Sequence, residues 1–169
     1  MQGGRVVEET VDDRSFRKAL GCFASGVTVV TTLDEAGNPA GLTVSSFSSV
    51  SLDPPLVLIC LGKKTKDLEH YSKGYFAVHV LGERQRELSI RFAGGGAKNK
   101  WEGLSFKSGL GGTPLLSGGL ATIECAVESA IESGDHVILV GRVERVSAQP
   151  SGQPLLYFKG GYFKLGAPE

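Results

Sequence analysis

Residues 26–61, GVTVVTTLDEAGNPAGLTVSSFSSVSLDPPLVLICL, carry the pattern that decides the fold class. Their beginning, residues 26–33, is rich in β-branched side chains and predicts a strand. The DEAGN sequence at 34–38 has the residue types of a tight turn, and residues 40–49 predict a second strand. The segment therefore predicts a β-hairpin.

The end of this segment predicts a third strand. Asp53, Pro54 and Pro55 should interrupt strand pairing, because proline has no amide donor. The residues that follow, LVLICL at 56–61, are apolar on both faces of a strand. This pattern favours a central strand that is covered on both sides.

Outside this segment the sequence predicts further strands and only short helices. Asp12 or Asp13 is expected to cap a first helix, which carries Phe16, Leu20 and Phe23 on one apolar stripe. We expect strands at 75–81, 120–131, 136–146, 154–158 and 162–165, helices at 15–23, 66–72 and 83–92, and a long glycine-rich loop at 97–112.

The order of these elements predicts one mainly β domain. They follow one another as hairpins, without the strand–helix–strand alternation of a parallel sheet. A length of 169 residues fits one domain. We therefore expect a flexible N-terminus at 1–12 and an antiparallel β-barrel at 13–166 with a few short helices on its outside.

Composition and charge exclude several classes of function. The formal net charge is zero at pH 7, which provides no field to attract nucleic acid. No stretch reaches the roughly 18 consecutive apolar residues of a membrane helix. The start, MQGGRVVEET, lacks the basic and then apolar regions of a signal peptide. We expect a cytoplasmic protein that binds neither nucleic acid nor membrane.

Metal sites and the common catalytic motifs are missing from the sequence. It contains no dinucleotide-binding or P-loop glycine motif, no nucleophile elbow and no zinc-protease motif. The three histidines fit no standard metal spacing. The three cysteines, Cys22, Cys60 and Cys125, are odd in number and form no C-x-x-C pair. We expect them to be buried thiols in a reducing compartment.

A run of hydroxyl side chains, Thr43, Ser45, Ser46, Ser48 and Ser49, lies in the second predicted strand. Alternation along a strand would put Thr43, Ser45 and Ser49 on one face and the other two serines on the opposite face. Small hydroxyl residues let a flat polar heterocycle approach the backbone and bond to it. The alternative is a solvated edge strand with serines facing water, and spacing alone leaves both open.

A cluster of lysines precedes the predicted helix at 66–72. Lys63, Lys64 and Lys66 flank Thr65, which is expected to cap this helix. Free amides at a helix N-terminus, together with lysines, form an anion site that suits a phosphate. An ordinary capped surface helix explains the same residues.

Two weaker signals lie further along the chain. His136 follows the turn formed by Gly134 and Asp135, where an imidazole could act as a donor or shuttle beside a cofactor. Arg91 and Phe92, at the end of the predicted helix 83–92, could supply a cation for phosphate and a packing aromatic. A turn with a structural histidine, and an ordinary helix end, remain the alternatives.

Taken in order, these motifs resemble the short-chain flavin reductases, the reductase partners of two-component flavin monooxygenases. The resemblance runs from about Phe16 to Leu165. The segments that carry it are GVTVVTT, GLTVSSFSSVSLDPPLVLICL, KTKDL, FAVHVL, Q-x-x-L-S, RFA, PLL-x-GGLATIEC, GDHVILVGRV and PLLYFKGGY. The sequence departs from the family after RFA, where it has GGGAKNKW in place of a longer basic-aromatic stretch.

The resemblance implies a Greek-key, FMN-binding split barrel that forms a homodimer, with flavin near the subunit interface. It implies FMN or FAD as cofactor or exchanging substrate, NADH or NADPH as hydride donor, and a separate oxygenase as partner. It also implies hydride transfer from nicotinamide to flavin, with no protein nucleophile. Two alternatives keep the fold: a flavin-binding carrier or redox sensor, and a reductase of ferric iron or a corrinoid.

The same resemblance implies a set of site residues. The flavin ring and ribityl chain would contact the serine segment, the phosphate would contact two further segments, and the nicotinamide would lie beside a histidine. These residues are Thr43, Val44, Ser45, Ser46, Ser48 and Ser49 for the ring; Cys60, Leu61, Gly62, Thr65, Lys66 and Asp67 for the phosphate side; Arg91, Phe92 and Ala93 for a second phosphate or ribityl contact; His136 for the nicotinamide; and Tyr162 as a closing aromatic.

Overall fold

Twelve strands and three α-helices make up the part of the chain that the computed structural model describes, residues 11–94 and 99–167. The helices are α1 (Asp13–Leu20), α2 (Leu68–Tyr71) and α3 (Arg86–Phe92), and single 3₁₀ turns span Glu83–Gln85 and Leu110–Gly112. The strands are β1 (Ser25–Gly26), β2 (Thr28–Leu33), β3 (Pro39–Val44), β4 (Ser48–Leu52), β5 (Pro55–Gly62), β6 (Tyr75–Val80), β7 (Phe106–Ser108), β8 (Pro114–Leu116), β9 (Ala121–Ser133), β10 (His136–Ala148), β11 (Leu156–Phe158) and β12 (Gly161–Phe163).

Seven strands form the main antiparallel sheet, in the order β3-β2-β6-β9-β10-β5-β4. Smaller sheets are formed by β1-β11-β12 and by β7-β8. The mainly β, antiparallel prediction is confirmed. The sheet is not closed within the described residues, because its two edge strands, β3 and β4, pair only with β2 and β5 respectively.

Two clusters of buried side chains hold the sheet and its flanking elements together. The first lies between the faces of the curved sheet and contains Ile59, Phe76 and Leu139, all fully buried. The second lies under α3 and joins Leu81 and Phe92. Burial of each of these large side chains contributes about 1.5–3 kcal/mol to folding, so both clusters fix the position of the strand ends between them.

The predicted strand at 40–49 is wrong in one important respect. It ends at Val44, and a new strand begins at Ser48 and pairs with β5 instead of β2. Between them the Ser46 hydroxyl lies 2.9 Å from the Cys60 amide nitrogen, from which it accepts, and 3.0 Å from the Cys60 carbonyl, to which it donates. The side chain therefore replaces the strand ladder there, and simple alternation of faces along the hydroxyl run does not hold.

The prediction that Thr65 caps a helix over 66–72 is also wrong. The helix is a single turn that begins at Leu68, and its N-cap residue, Asp67, has a left-handed backbone (φ 61°) and no capping side-chain bond. Residues 62–68 instead form consecutive turns, with bonds from the Thr65 amide to Gly62 and from the Leu68 amide to Thr65. The anion-site argument therefore loses its helix and rests on side chains alone.

The predicted cap of the first helix is confirmed, whereas the prediction of three buried cysteines is wrong. Asp12 caps α1 as predicted, with its carboxylate 2.7 Å and 2.8 Å from two backbone amides of the first turn. Of the predicted apolar stripe, Phe16 and Leu20 lie on α1 and Phe23 lies beyond its end, and all three are exposed. Cys125 is buried, Cys60 is half-buried, and Cys22 is exposed, contrary to the expectation of three buried thiols.

The proline segment and the glycine-rich loop differ from the prediction. Asp53–Pro54 is a cis peptide in the turn between β4 and β5, so the prolines connect two paired strands and do not end the pairing. The predicted loop at 97–112 contains β7 and a 3₁₀ turn, although residues 97–98 lie outside the described residues, as do residues 1–10 of the predicted flexible N-terminus. No helix in the described ranges is long and apolar enough to cross a membrane.

Candidate functional site

The paired ends of β5 and β10 bring His136 next to Gly62. His136 begins β10 directly after a two-residue turn, and the Lys63 amide donates to the carbonyl of Asp135 at 2.9 Å, which holds this turn against β5. Gly62 lies close to two of the predicted side chains, because a Cβ placed there would make ordinary contacts of 3.9 Å with both His136 Nε2 and Thr65 Oγ1. Gly62, Thr65 and His136, which were predicted from separate motifs, therefore lie close together. We call this group the corner at Gly62.

The His136 imidazole is oriented by its neighbour. Its Nδ1 lies 2.7 Å from the carboxylate of Asp135, and the imidazole side chain is 49% exposed. The hydrogen bond from His136 lowers the pKa of Asp135 below its usual value. With Nδ1 engaged by the carboxylate, Nε2 is the nitrogen that remains for a ligand near Gly62.

The strand end at Thr43–Ser46 is tied to the elements around it. Thr43 donates through its hydroxyl to the carbonyl of Ser89 in α3 at 2.6 Å, and Ser46 bonds to both backbone groups of Cys60. These hydroxyls therefore fix the positions of β3, α3 and β5 relative to one another. Their own hydrogen-bonding capacity is largely used within the protein.

Helix α3 carries the Arg91–Phe92 motif into a loop that packs against β3. Arg91 donates to the carbonyl of Glu102 at 3.1 Å, and the Lys100 ammonium lies 3.3 Å from the carbonyl of Phe92. Phe92 and Trp101 pack edge to face, with ring centroids 5.1 Å apart. The stretch from Asn99 to Leu104 is thus anchored to α3.

Gly41 makes this packing possible. A Cβ at Gly41 would come within 2.6 Å of the Phe92 ring, closer than side chains tolerate, and within 3.1 Å of the Trp101 ring, which is a tight contact. The two aromatic rings therefore lie directly on the backbone of β3. This contact places Trp101 against β3 at Gly41.

A cavity of about 390 Å³ lies between β3, the turn at Thr65–Asp67 and the loop at 99–101. Lys66 and Lys100 both line it, and the pKa of Lys100 is lowered, first by its burial and then by the charge of Lys66. Two neighbouring ammonium groups, one of them partly desolvated, favour an anion between them. A larger depression of about 460 Å³, lined by residues 82–85, 118–120, 149 and 151–153, contains none of the predicted residues.

Several predicted residues do not present a side chain to this region. Val44, Leu61 and Phe92 are buried in the core clusters, so only their backbone groups remain for a ligand. Ser48 and Ser49 lie exposed on the edge strand β4. Tyr162 turns its hydroxyl inward to Ser89 at 2.8 Å, and Arg86 covers its ring. Ala93 is exposed just beyond α3.

Four residues that sequence reasoning did not select help to form the site: Gly41, Tyr71, Ser89 and Lys100. Ser89 was visible as the final residue of the Q-x-x-L-S motif. In the sequence, Lys100 and Trp101 are only the last two residues of GGGAKNKW, the segment that follows RFA. The described ranges hold no group of three or more metal-ligating side chains.

Comparison with known proteins shows which family and which proteins this chain is similar to. The family model of the flavin reductase-like domain matches residues 20–166. A probable flavin reductase from Rhizobium meliloti is 45% identical over 160 residues, which span 94% of this chain but only half of that protein. HsaB of Rhodococcus jostii, the reductase subunit of a flavin-dependent monooxygenase, is 40% identical over 94% of this chain and 81% of its own length.

A solved structure shares the fold. The NADH:FAD oxidoreductase SgcE6 of Streptomyces globisporus, in complex with NAD and FAD fragments, superposes with a TM-score of 0.85 at 36% identity, over 94% of this chain and 98% of its own. The family match covers most of the sequence, and the strand ends that form the corner at Gly62 lie within it. This chain therefore belongs to the flavin reductase-like family.

Proposed function

We propose that this chain is an NAD(P)H-dependent flavin reductase that transfers a hydride from nicotinamide to FMN or FAD and supplies the reduced flavin to a separate monooxygenase. The observation that carries the proposal is the corner at Gly62, where His136 and Thr65 meet beside the cavity containing Lys66 and Lys100. Family membership and the reductase role of HsaB support the same activity.

The residues present fit a flavin. The two ammonium groups suit a phosphate, since an anion between them would offset both the burial and the repulsion from Lys66 that lower the Lys100 pKa. Leu42 and Trp101 provide apolar walls, and the exposed backbone near Ser45 can bond to the polar edge of a ring. When bound, the flavin supplies the capacity to accept a hydride, and the protein orients it beside the nicotinamide.

His136 is proposed to position the nicotinamide. With Nδ1 bonded to Asp135, Nε2 is available for the carboxamide of the donor next to Gly62. Hydride transfer between two rings needs no protein nucleophile, which is consistent with the absence of a catalytic triad from the sequence. The histidine would therefore contribute alignment more than acid–base chemistry.

We also propose that the chain works as a cytoplasmic homodimer. Phe16 and Leu20 on α1, and Phe23 just beyond it, are exposed apolar side chains of the kind that proteins commonly cover by association. The three cysteines are unpaired, as expected in a reducing compartment. Light scattering after gel filtration tests the dimer, and Phe23→Ser should shift the protein toward the monomer.

Anaerobic titration tests the main proposal. NADH and NADPH are added in turn to the protein with FMN or FAD, and the bleaching of the flavin absorbance is followed. Catalytic reduction of excess free flavin is expected with at least one nicotinamide. A stable yellow protein that ignores both nicotinamides would indicate a flavin carrier or sensor and contradict the proposal. Preferential reduction of ferric iron or a corrinoid would indicate a different acceptor.

A further inference from the structure

We propose that Lys63 is a positioning residue for the nicotinamide side of the reaction, and that it acts by holding the turn that carries His136. The inference rests on the proposed function and deepens it, because it concerns how the histidine is kept beside Gly62. Two contacts carry it, since the backbone amide and the side-chain ammonium of Lys63 both bond to the hairpin of β9 and β10.

The end of this hairpin has little other support. β9 pairs with β6 from Ala121 to Ala126, and beyond Val127 it pairs with β10 alone among the described strands. Residues 128–136 are all exposed, and the pairing of β10 with β5 begins only at His136. A segment that buries so little of its surface opens easily unless other bonds hold it. The turn that places His136 therefore depends on contacts outside the core.

Lys63, the first residue after β5, supplies such contacts to both strands of the hairpin. Its amide donates to the carbonyl of Asp135 at 2.9 Å, just before β10 begins. Its ammonium donates to the carboxylate of Glu132 at 2.7 Å, near the end of β9. We call these two bonds the Lys63 clamp. They fix both sides of the turn against the strand end that contains Gly62.

The clamp separates Lys63 from the lysines proposed to hold the flavin phosphate. Lys66 and Lys100 line the cavity beside β3, whereas Lys63 does not. The hydrogen bond and the charge of Lys63 lower the pKa of Glu132, so the carboxylate is ionised at neutral pH and the pair is a charged one. The ammonium of Lys63 is thus engaged on the histidine side of the corner at Gly62.

The ion pair of the clamp is exposed, which limits its effect. The side chains of Lys63 and Glu132 are 41% and 79% exposed, so water and salt weaken their attraction. We expect removal of either charge to change nicotinamide use by about two- to fivefold, most at low ionic strength. The amide bond to Asp135 remains in every side-chain variant, so the fold should be retained.

The experiment compares Lys63→Met and Glu132→Gln with the wild type at low and at high salt. It measures the KM for NADH, the flavin Kd, and the hydrogen exchange of residues 132–136. We expect both variants to raise the KM about two- to fivefold at low salt and to speed exchange in the turn, with the flavin Kd unchanged. Lys73→Met and Glu69→Gln, which remove an exposed ion pair at α2, are the matched controls and should change none of the three.

Exchanging the two charges provides a further check. The double variant Lys63→Glu with Glu132→Lys keeps an ion pair at the same place, so its KM and its exchange should return toward the wild type. Weaker flavin binding in Lys63→Met, with an unchanged KM in Glu132→Gln, would assign Lys63 to the phosphate and overturn the inference.

Two other outcomes separate this inference from the proposed function. Normal flavin reduction by the wild type, with the same KM and the same exchange in both variants, would remove the positioning role and leave the reductase activity standing. A wild type that reduces no flavin with either nicotinamide would contradict the proposed function itself, and the positioning role with it.

Discussion

The Ser89 hydroxyl lies 2.8 Å from the hydroxyl of Tyr162, so the middle of α3 is bonded to the C-terminal hairpin. Ser89 is fully buried, and its carbonyl also accepts a bond from Thr43 at 2.6 Å. One residue thus joins β3, α3 and β12. The position of the Arg91–Phe92 end of α3 depends on these bonds, although neither hydroxyl faces the cavity.

Ser89→Ala and Tyr162→Phe should each lower the free energy of unfolding by about 1–2 kcal/mol, because each leaves a buried hydroxyl without its partner. The double variant should lose less than the sum, with a coupling of about 1 kcal/mol. Urea unfolding of the four proteins measures this cycle. Tyr157→Phe is the control, because its more exposed hydroxyl has no hydrogen bond in the described ranges; additive losses would contradict a direct bond.

Gly41→Ala should move the aromatic rings that lie on β3. The added methyl group would come within 2.6 Å of Phe92 and 3.1 Å of Trp101, so the rings must shift, at a cost of about 1–3 kcal/mol. Trp101 is the only tryptophan of the chain, so a change in its emission reports the movement directly. Gly26→Ala is the matched control, since a Cβ there meets nothing within 4 Å. Equal spectra and stability for both variants would contradict this packing.

Much of the fold could be predicted because it depends on local patterns. The β-branched run at 28–33, the turn at 34–38 and the cap at Asp12 each act within a few residues, and all three appear in the structure. The break after Val44 could not be predicted in this way. It depends on Ser46 bonding to Cys60, a residue 14 positions away whose proximity only the folded sheet creates.

The candidate site also combines features that local patterns predict with features that only the folded sheet creates. The corner of Gly62, Thr65 and His136 was predicted in parts, and pairing of β5 with β10 brings the parts together. Thr65 was expected to act as a cap because its residue type favours one, but Asp67 in a left-handed conformation shortens the helix. Tyr71 carried no signal in the sequence, since an isolated tyrosine resembles a core residue until the structure places it at the wall of the cavity.

His136→Gln should impair use of the nicotinamide far more than flavin binding. The imidazole Nε2 lies beside Gly62, whereas the cations proposed to hold the flavin phosphate, Lys66 and Lys100, line the neighbouring cavity. We expect the KM for the nicotinamide to rise about tenfold, as for loss of one or two positioning bonds, with the flavin Kd within about twofold of the wild type. Stopped-flow reduction and flavin titration measure the two quantities. His70→Gln is the control, and equal losses in both quantities would remove the proposed role.

His79 should make the fold sensitive to acid. Thr31 uses its one hydroxyl proton on the carbonyl of Pro114 at 2.7 Å, so it must accept from His79 Nε2 at 3.1 Å, and Nδ1 accepts from Thr122. Burial lowers the pKa of His79 from 6.5 to about 4. The unfolded chain therefore binds a proton first as the pH falls, and stability that is complete above pH 6.5 is lost between 6.5 and about 4, by up to about 3 kcal/mol. Urea unfolding at pH 7.5, 5.5 and 4.5 should show this loss in the wild type and in His70→Gln, and a flatter profile in His79→Gln. A profile for His79→Gln as steep as that of the wild type would mean that other groups cause the acid sensitivity.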